Sequence, residues 1–219
     1  MSRSTSPSEA IVTREYGPFG DAPVHGVAWD GRCVWVATGD DLRAIDPDAG
    51  EVVRTLPVAS DAGTAFDGRH LYQLTSAQIQ KIDAETGEIV GSIDAPGGGW
   101  ASGLTWAEGM LWVGQYRDRK IHCVDPATGR IVRTIESDRF VTGVTWTSGE
   151  LWHATWEDDV SELRRVDPGS GEVLERHRLP AGVTVSGLST DGERFFGGGG
   201  PDGRVRVIVR PGLSASERG

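Results

Sequence analysis

The sequence predicts an all-β fold, a five-bladed β-propeller built from four-stranded antiparallel blades. One phrase recurs along the chain: a Gly-aliphatic pair, a Gly-containing turn, a Trp-containing run and then Asp-Pro-x-x-Gly. Two full copies occupy residues 102–135 and 142–179. The glycine that opens the phrase, here called the anchor glycine, recurs about every 40 residues, a typical blade length, at Gly26, Gly63, Gly103, Gly143 and Gly187.

Each copy carries the signals of four short strands. The first strand starts at the anchor glycine, as in residues 103–106, and a turn such as Glu108-Gly109 leads into the second strand. Glycine supplies the positive φ that tight hairpin turns need. The third strand ends at an aspartate that opens the next turn, as in residues 125–129, where Pro and Gly fit the turn geometry. The fourth strand, residues 130–135 in this copy, closes the blade.

The fifth copy lacks its fourth strand, since its third strand ends near residues 205–209. Residues 10–16, at the other end of the chain, read as a strand, and we expect them to complete the last blade. Such a closure joins the ends of the ring by backbone hydrogen bonds and leaves no long unpaired edge. The predicted domain therefore spans residues 10–211. Two polar tails, residues 1–9 and 212–219, are predicted to be disordered.

Composition excludes some functions. The 219 residues carry a formal net charge of -10, which disfavours nucleic-acid binding because phosphate contacts need clustered Lys and Arg. No apolar run is long enough to span a membrane, and no secretory leader follows the first residue. We therefore expect a cytoplasmic protein, although a chain from which a leader had been removed would read the same. Cys33 and Cys123 are expected to be reduced, buried thiols.

The sequence carries no motif for a bound cofactor or metal. It has no Cys-x-x-Cys, His-x-His or His-Glu-x-x-His pattern, and no phosphate-binding loop or nucleophile elbow. We predict no cofactor and no metal, and leave open whether an ion bridges His25 and His153. The oligomeric state is also open.

The polar residues nearest the channel are candidates for a binding site. A propeller arranges its innermost strands around a central channel, and ligands bind at the mouth formed by the loops that enter these strands. The residue before each anchor glycine is expected to face this mouth: His25, Ala62, Ser102, Thr142 and Ser186. Three hydroxyl groups, an imidazole and a methyl group form a polar ring. The alternative is that the hydroxyl groups bind only channel water or backbone.

A second ring is predicted in the second strand, at the same position of each copy: Val36, Gln73, Val113, His153 and Gly197. The copies differ sharply here, and a site is expected where copies differ. A lone histidine in a strand is more often a hydrogen-bonded core residue than a catalytic one. Histidine exchanges protons near neutral pH, so we take His153 first and His25 second as candidate catalytic residues, with Gln73 as a substrate-binding residue.

Aromatic residues complete the predicted site. Six tryptophans recur at repeat positions and are assigned to packing between blades: Trp29, Trp35, Trp106, Trp112, Trp146 and Trp152. Trp100 and Trp156 are not repeated, which makes them the better ligand-facing candidates. Four neighbouring residues join them as candidate substrate-binding residues: Gln115, Tyr116, Phe140 and Glu157. Acidic loop residues are usually solvated, but an acidic cleft with aromatic walls suits a cationic or neutral, partly apolar ligand.

The repeat phrases, over residues 10–211, resemble those of the propeller glutaminyl cyclases (the plant-type and bacterial glutamine cyclotransferase family) and of lactonase- and lyase-like propellers. That family opens its first inner strand with Phe-Thr-Gln-Gly-Leu, which residues 140–144 and 100–104 approach. Its second strand carries Tyr-Glu-Ser-Thr-Gly, with a Glu thought to assist proton transfer. Residues 35–39 match that strand, but Val36 replaces the Glu and cannot move a proton.

The resemblance implies a propeller fold but leaves the reaction open, because many functions share such repeats. One hypothesis is an enzyme that performs an acid–base cyclisation, elimination or ring opening on a small molecule in the channel mouth, with a histidine as proton shuttle. The alternative is a propeller that binds a ligand or a protein without turnover. In both cases the expected partner is a small molecule or a protein, with no nucleic acid and no membrane.

Overall fold

The computed structural model describes residues 7–212 and confirms an all-β propeller. Its strands form five sheets. Each sheet has four antiparallel strands, consecutive strands lie side by side, and one sheet also has a short parallel strand at its outer edge. We number these sheets blade 1 to blade 5 from the N-terminal side of the ring. In every blade the first strand lies innermost, next to the channel, and the fourth lies at the rim. The described residues contain no helix, and therefore none that could cross a membrane.

Blades 1 to 3 are continuous in sequence. Blade 1 comprises β3 (Gly26–Trp29), β4 (Val34–Ala37), β5 (Leu42–Ile45) and β6 (Val52–Leu56). Blade 2 comprises β7 (Thr64–Phe66), β8 (His70–Leu74), β9 (Gln78–Asp83) and β10 (Ile89–Asp94). Blade 3 comprises β11 (Ala101–Ala107), β12 (Met110–Gln115), β13 (Lys120–Val124) and β14 (Ile131–Glu136).

Blades 4 and 5 include both ends of the described chain. Blade 4 comprises β15 (Phe140–Thr147), β16 (Glu150–Glu157), β17 (Val160–Val166) and β18 (Val173–Arg178), with the short strand β1 (Ser8–Glu9) at its outer edge. Blade 5 comprises β19 (Gly187–Thr190), β20 (Arg194–Gly199), β21 (Arg204–Val209) and, from the N-terminal side, β2 (Val12–Tyr16).

The N-terminal strand closes the ring as predicted. β2 pairs antiparallel with β21, so that Val12 lies opposite Ile208 and Tyr16 lies opposite Val205. The structured region begins earlier than the predicted boundary at residue 10, because Ser8 pairs in parallel register with His177 of β18. The N-terminal segment therefore ties blade 4 to blade 5. The rest of the predicted tails, residues 1–6 and 213–219, lies outside the described residues.

The anchor glycines let the inner strands of neighbouring blades touch. A Cβ atom on Gly103 of blade 3 would lie 2.6 Å from the backbone nitrogen of Val144 in blade 4. The same relation closes the ring, since a Cβ atom on Gly187 would lie 2.6 Å from the nitrogen of Val27 in blade 1. Real Cβ atoms do not approach other atoms so closely, so only glycine fits.

Aromatic side chains fill the spaces between blades. An aromatic residue of the second strand stacks on one in the first strand of the next blade. Three such pairs have ring centroids 5.4 to 5.7 Å apart: Tyr72–Trp106, Trp112–Trp146 and Phe196–Trp29. The assignment of Trp29, Trp106, Trp112 and Trp146 to packing between blades is confirmed. Cys33 and Cys123 are free thiols, and burial raises the pKa of each.

Candidate functional site

The channel mouth holds a polar cavity of about 230 Å³. Its lining includes all five residues that precede the anchor glycines: His25, Ala62, Ser102, Thr142 and Ser186. Asp61, Ala101 and Tyr116 complete the wall. The repeat thus brings one side chain from each blade to a single cavity.

Backbone hydrogen bonds hold two residues of the ring in place. The amide of His25 donates to the carbonyl of Ala37 at 2.9 Å, and the amide of Ser186 donates to that of Gly198 at 2.7 Å. In both cases the second strand fixes the residue that enters the first strand. The imidazole of His25 is therefore presented to the cavity from a fixed backbone.

Two of the ring hydroxyls have different environments. Ser102 donates its Oγ proton to the carbonyl of Val141 at 2.8 Å, which links blade 3 to blade 4. Thr142 is only 8% exposed, and its Oγ1 has no hydrogen-bond partner within residues 7–212. A buried hydroxyl without a partner is costly. Thr142 also lines the cavity, so a ligand there can contact this residue.

A second cavity of about 400 Å³ opens beside the polar ring towards blades 4 and 5. Three residues line both cavities: Tyr116, Thr142 and Ser186. The outer cavity adds a more apolar wall made of Trp156 and Val185, with Thr184 and Gly200. The mouth therefore offers a polar inner part and an aromatic outer part.

Tyr116 is held by groups that do not themselves line either cavity. Its ring stacks on Phe140 with centroids 4.8 Å apart. The guanidinium of Arg119 lies 4.4 Å from the centroid of Phe140 and forms a 2.7 Å salt bridge with Glu157. Phe140 and Glu157, which the sequence placed in the binding site, support Tyr116 from behind.

Trp100 and Gln115 also lie beside the cavities rather than in their walls. Trp100 is 45% exposed on the rim, and the guanidinium of Arg117 covers its ring at 3.5 Å. Gln115 is buried and donates from Nε2 to the carbonyl of Pro96 at 2.6 Å. The structure gives Gln115 a role in fixing the loop that leads to Trp100.

The structure places His153 away from the mouth. Its side chain is 1% exposed, lies on the face of β16 that also carries the blade 3 contact Leu151, and lines neither cavity. Burial, followed by the positive charge of Arg164 on the adjacent strand, lowers the pKa of His153 to about 4. The expectation that His153 faces the ligand is wrong. It is a neutral interior residue at physiological pH.

All residues of the second ring, including Gln73, are buried between blades. Thr64 donates its Oγ1 proton to Oε1 of Gln73 at 2.7 Å, and Nε2 of Gln73 donates to the carbonyl of Ala62 at 3.1 Å. Blades stand radially, so second-strand side chains point at neighbouring blades and not into the channel. Gln73 therefore positions Ala62 of the polar ring without reaching a ligand.

Several lining residues lie outside the two rings that the repeat predicts. Asp61 places a carboxylate at the polar cavity, while Thr184, Val185 and Gly200 line the outer one. Asp61 directly precedes the ring residue Ala62, and Val185 directly precedes Ser186. The signal was therefore adjacency to the ring positions.

Among residues 7–212, no three His, Cys, Asp or Glu side chains are placed to hold a metal ion together.

Comparison with known proteins gives relatives in fold. A family model described as outer membrane protein assembly factor BamB matches residues 38–132, less than half of the chain. No curated protein matches the sequence. The glutaminyl cyclase of Myxococcus xanthus superimposes with a TM-score of 0.76 at 17% identity, over 93% of this chain and 97% of that one.

Two further solved structures are similar over shorter shares of their length. The virginiamycin B lyase of Staphylococcus aureus gives a TM-score of 0.53 at 18% identity, over 90% of this chain and 70% of that one. A chain of a mitotic checkpoint complex gives 0.51 at 19% identity, over 84% of this chain and 62% of that one. The chain shares their fold. At these identities the likeness extends to the fold alone.

Proposed function

We infer that the channel mouth binds a small molecule and catalyses an acid–base reaction on it, with His25 as the proton-transfer residue. One observation carries the proposal. Each blade contributes at least one residue to a single cavity, and the residues that line it carry an imidazole, a carboxylate and four hydroxyl groups. Such a set of groups in a rigid, concave site is typical of a small-molecule enzyme.

Binding is supported by the two-part shape of the mouth. Thr142, whose hydroxyl has no partner among residues 7–212, lines both the polar and the aromatic cavity. It can donate to or accept from a polar group of the ligand. Tyr116 and Trp156 offer flat apolar surface to the rest of the molecule. The preferred ligand has a hydrogen-bonding end and a planar or aliphatic part.

Catalysis is supported by His25 and Asp61, which line the same cavity. Imidazole both accepts and donates protons near neutral pH. A carboxylate nearby can orient the imidazole and stabilise its protonated form. A stiff ring holds the substrate near its reactive geometry, so one proton shuttle suffices for an intramolecular reaction.

The reaction class follows from the chemistry of one shuttle and from the relatives in fold. A glutaminyl cyclase and a virginiamycin B lyase share the propeller fold with this chain. A cyclisation, an elimination or a ring opening each needs one proton removed and one delivered. The proposed function is one of these three reactions on a small, neutral or cationic molecule.

The test compares His25→Gln with wild type in a substrate screen that starts with glutaminyl peptides and virginiamycin B. Loss of a general acid–base group should lower kcat/KM by at least about 100-fold. His70→Gln is the matched control, because His70 starts the second strand of blade 2, at its end far from the mouth. Unchanged turnover in His25→Gln would contradict the mechanism.

A ligand that binds wild type and His25→Gln alike, with no turnover in either, would support the non-catalytic alternative. The absence of the cyclase-type Glu, whose position Val36 occupies, favours that alternative. Perturbation of Trp156 fluorescence would show that the ligand sits in the mouth, whereas a protein partner would protect outer loops. Binding without turnover would thus support the proposed binding site and contradict the proposed catalytic function.

A further inference from the structure

A cleft of about 340 Å³ lies between blades 2 and 3, away from the channel mouth. Tyr72 and Lys81 of blade 2 line it on one side, and Trp106 with the turn at Pro126 lines it from blade 3. Gly91, in the outermost strand of blade 2, completes the wall. None of these residues belongs to the mouth.

The repeat shows what fills the equivalent cleft in two other blades. One position of the fourth strand lies opposite a third-strand residue in every blade: Arg14, Arg54, Gly91, Arg133 and Glu175. Three of the five blades carry arginine there. Arg133 of blade 3 donates from Nη1 to the carbonyl of Pro168 at 2.8 Å, in the turn of the next blade. Arg14 of blade 5 reaches the equivalent Pro47 carbonyl at 3.1 Å.

Within residues 7–212, blades 1, 2 and 4 lack this bridge, and only blade 2 has a glycine at the position. A Cβ atom on Gly91 would meet nothing within 4 Å, and Gly91 does not have the positive φ that excludes other residues. The carbonyl of Pro126, equivalent to those of Pro47 and Pro168, accepts no hydrogen bond from any residue in the described range 7–212. The cleft therefore lacks the side chain that arginine supplies in two other blades, and its turn carbonyl has no partner in residues 7–212.

The wall of the cleft suits a planar cation. Tyr72 and Trp106 stack with centroids 5.4 Å apart and planes inclined by 17°. Guanidinium groups bind flat aromatic surfaces through stacking and cation–π attraction. The formal net charge of -10 also favours a positively charged partner.

Lys81 opposes this attraction, and its position limits the effect. Its Nζ lies 5.7 Å from the centroid of Tyr72 and 4.0 Å from the carboxylate of Asp67. Asp67 thus neutralises part of its charge. Lys81 reaches Asp67 at the end of the first hairpin, not the carbonyl of Pro126, so the acceptor stays open.

We propose that this cleft binds a guanidinium group supplied from outside the chain, which makes the contact to Pro126 that arginines make within the chain at the other two turns. The group comes either from an arginine side chain of a partner protein or from a small free guanidino compound. Both present the same donor geometry to the same acceptor.

The test is a titration of the protein with methylguanidinium and with the peptide acetyl-Gly-Arg-Gly-amide. Binding is detected by the shift of the indole N–H resonance of Trp106 in NMR spectra. Methylammonium and acetyl-Gly-Lys-Gly-amide are the matched probes. Both guanidinium probes should bind at millimolar concentration, at least about threefold tighter than the ammonium probes. An arginine peptide that binds about tenfold tighter than methylguanidinium indicates a protein partner. Equal affinity indicates a small compound.

Two variants decide whether the cleft itself is responsible. Gly91→Arg restores the side chain of blades 3 and 5, so it should fold and should lose binding by at least about tenfold, whereas Gly91→Ala should retain it. Lys81→Gln removes a like charge and should tighten binding about two- to threefold. Equal affinity for lysine and arginine probes, undiminished binding in Gly91→Arg, or weaker binding in Lys81→Gln would overturn the proposal.

Discussion

Two histidines show how position within a blade decides function. His25 precedes the first strand of blade 1 and lines the mouth cavity. His153 lies in the second strand of blade 4, and its side chain is buried. In the linear repeat both positions fall near the mouth end of a blade. In three dimensions only the entrance to the innermost strand points at the channel, while the faces of inner strands pack on neighbouring blades.

The same difference governs their chemistry. His153 is removed from solvent, and burial together with Arg164 lowers its pKa to about 4. Arg164 is itself buried and pairs with Glu162 at 2.9 Å and with Asp138. A buried imidazole beside a guanidinium stays neutral and has no route to a substrate. A residue that differs between repeat copies can therefore mark an altered interior rather than a binding site.

The largest predicted effect concerns the glycines that bring the mouth residues together. Gly103→Ala places a Cβ atom 2.6 Å from the nitrogen of Val144. The inner strands of blades 3 and 4 must then separate, and we expect the free energy of unfolding to fall by at least about 3 kcal/mol. Urea denaturation measures the change.

Gly91→Ala is the control for that experiment, because its Cβ atom meets nothing within 4 Å. We expect this variant to change stability by less than about 0.5 kcal/mol or to stabilise slightly. Similar losses in both variants would mean that strand propensity, not the contact between inner strands, explains the anchor glycines.

The next effect separates the two histidines by stability. His153→Ala leaves a cavity in the interior and should lower the free energy of unfolding by roughly 2–4 kcal/mol. His25→Ala should change it by about 0.5 kcal/mol or less, because the side chain lies at a half-buried mouth position. Thermal and urea denaturation of both variants provide the comparison. Equal destabilisation would contradict the different burial of the two side chains.

Acid should also distinguish His153. Its folded pKa of about 4 lies below the unfolded value of about 6.5. Between these values the unfolded chain binds a proton that the folded chain does not. Stability therefore falls as the pH drops through this window, by roughly 2–3 kcal/mol in total. The variant His153→Leu lacks this titration, so its stability should change less between pH 6.5 and 4.

Carboxylates also change stability in acid, so their contribution must be separated from that of His153. Hydrogen bonds from the His70 and Arg69 amides outweigh burial and lower the pKa of Asp67 in the folded state. Such a group loses its stabilising effect only as the pH falls below the ordinary aspartate range. The carboxylate of Asp67 contributes equally to the stability of wild type and of His153→Leu. Parallel stability curves of the two proteins above pH 4 would show that His153 titrates normally.

The repeat made the ring and its entrance predictable. Gly26 and its equivalents fixed the blade register, so the residues before them, including Thr142 and Ser186, could be placed at one cavity. Trp156 was found because it is not one of the repeated tryptophans, and Tyr116 because it lies near the predicted mouth. The blade closure by residues 12–16 followed from the missing strand of the last copy.

The wrong assignments concern the direction of side chains. The alternation of side chains along a strand does not by itself show whether they face the channel when the blades stand radially around it. Gln73 and His153 share a repeat position, and both point between blades because the pleat alternates between two protein neighbours there. Phe140 and Glu157 were assigned to the ligand, but Phe140 stacks directly on Tyr116, and Glu157 pairs with Arg119, which packs on Phe140. Such a chain of contacts across three loops leaves no pattern in the sequence.

The smallest predicted effect concerns the two ring hydroxyls. Thr142→Val keeps the shape of the side chain and removes a hydroxyl that has no partner in the described residues 7–212. Stability should stay within about 0.5 kcal/mol or rise, since a buried unsatisfied hydroxyl is costly. A ligand that bonds to this hydroxyl should bind about fivefold to tenfold more weakly. Isothermal titration calorimetry with the molecule found in the substrate screen measures this loss.

Ser102→Ala gives the opposite pattern, because the Ser102 hydroxyl already donates to the carbonyl of Val141. Its loss should cost about 1 kcal/mol of stability and change ligand affinity less than Thr142→Val does. The reverse outcome, in which Thr142→Val is destabilised and Ser102→Ala binds the ligand more weakly, would show that the ligand contacts the hydroxyl of blade 3 instead. The polar ring would then bind its ligand through a different hydroxyl, with Thr142 acting as a structural residue between blades.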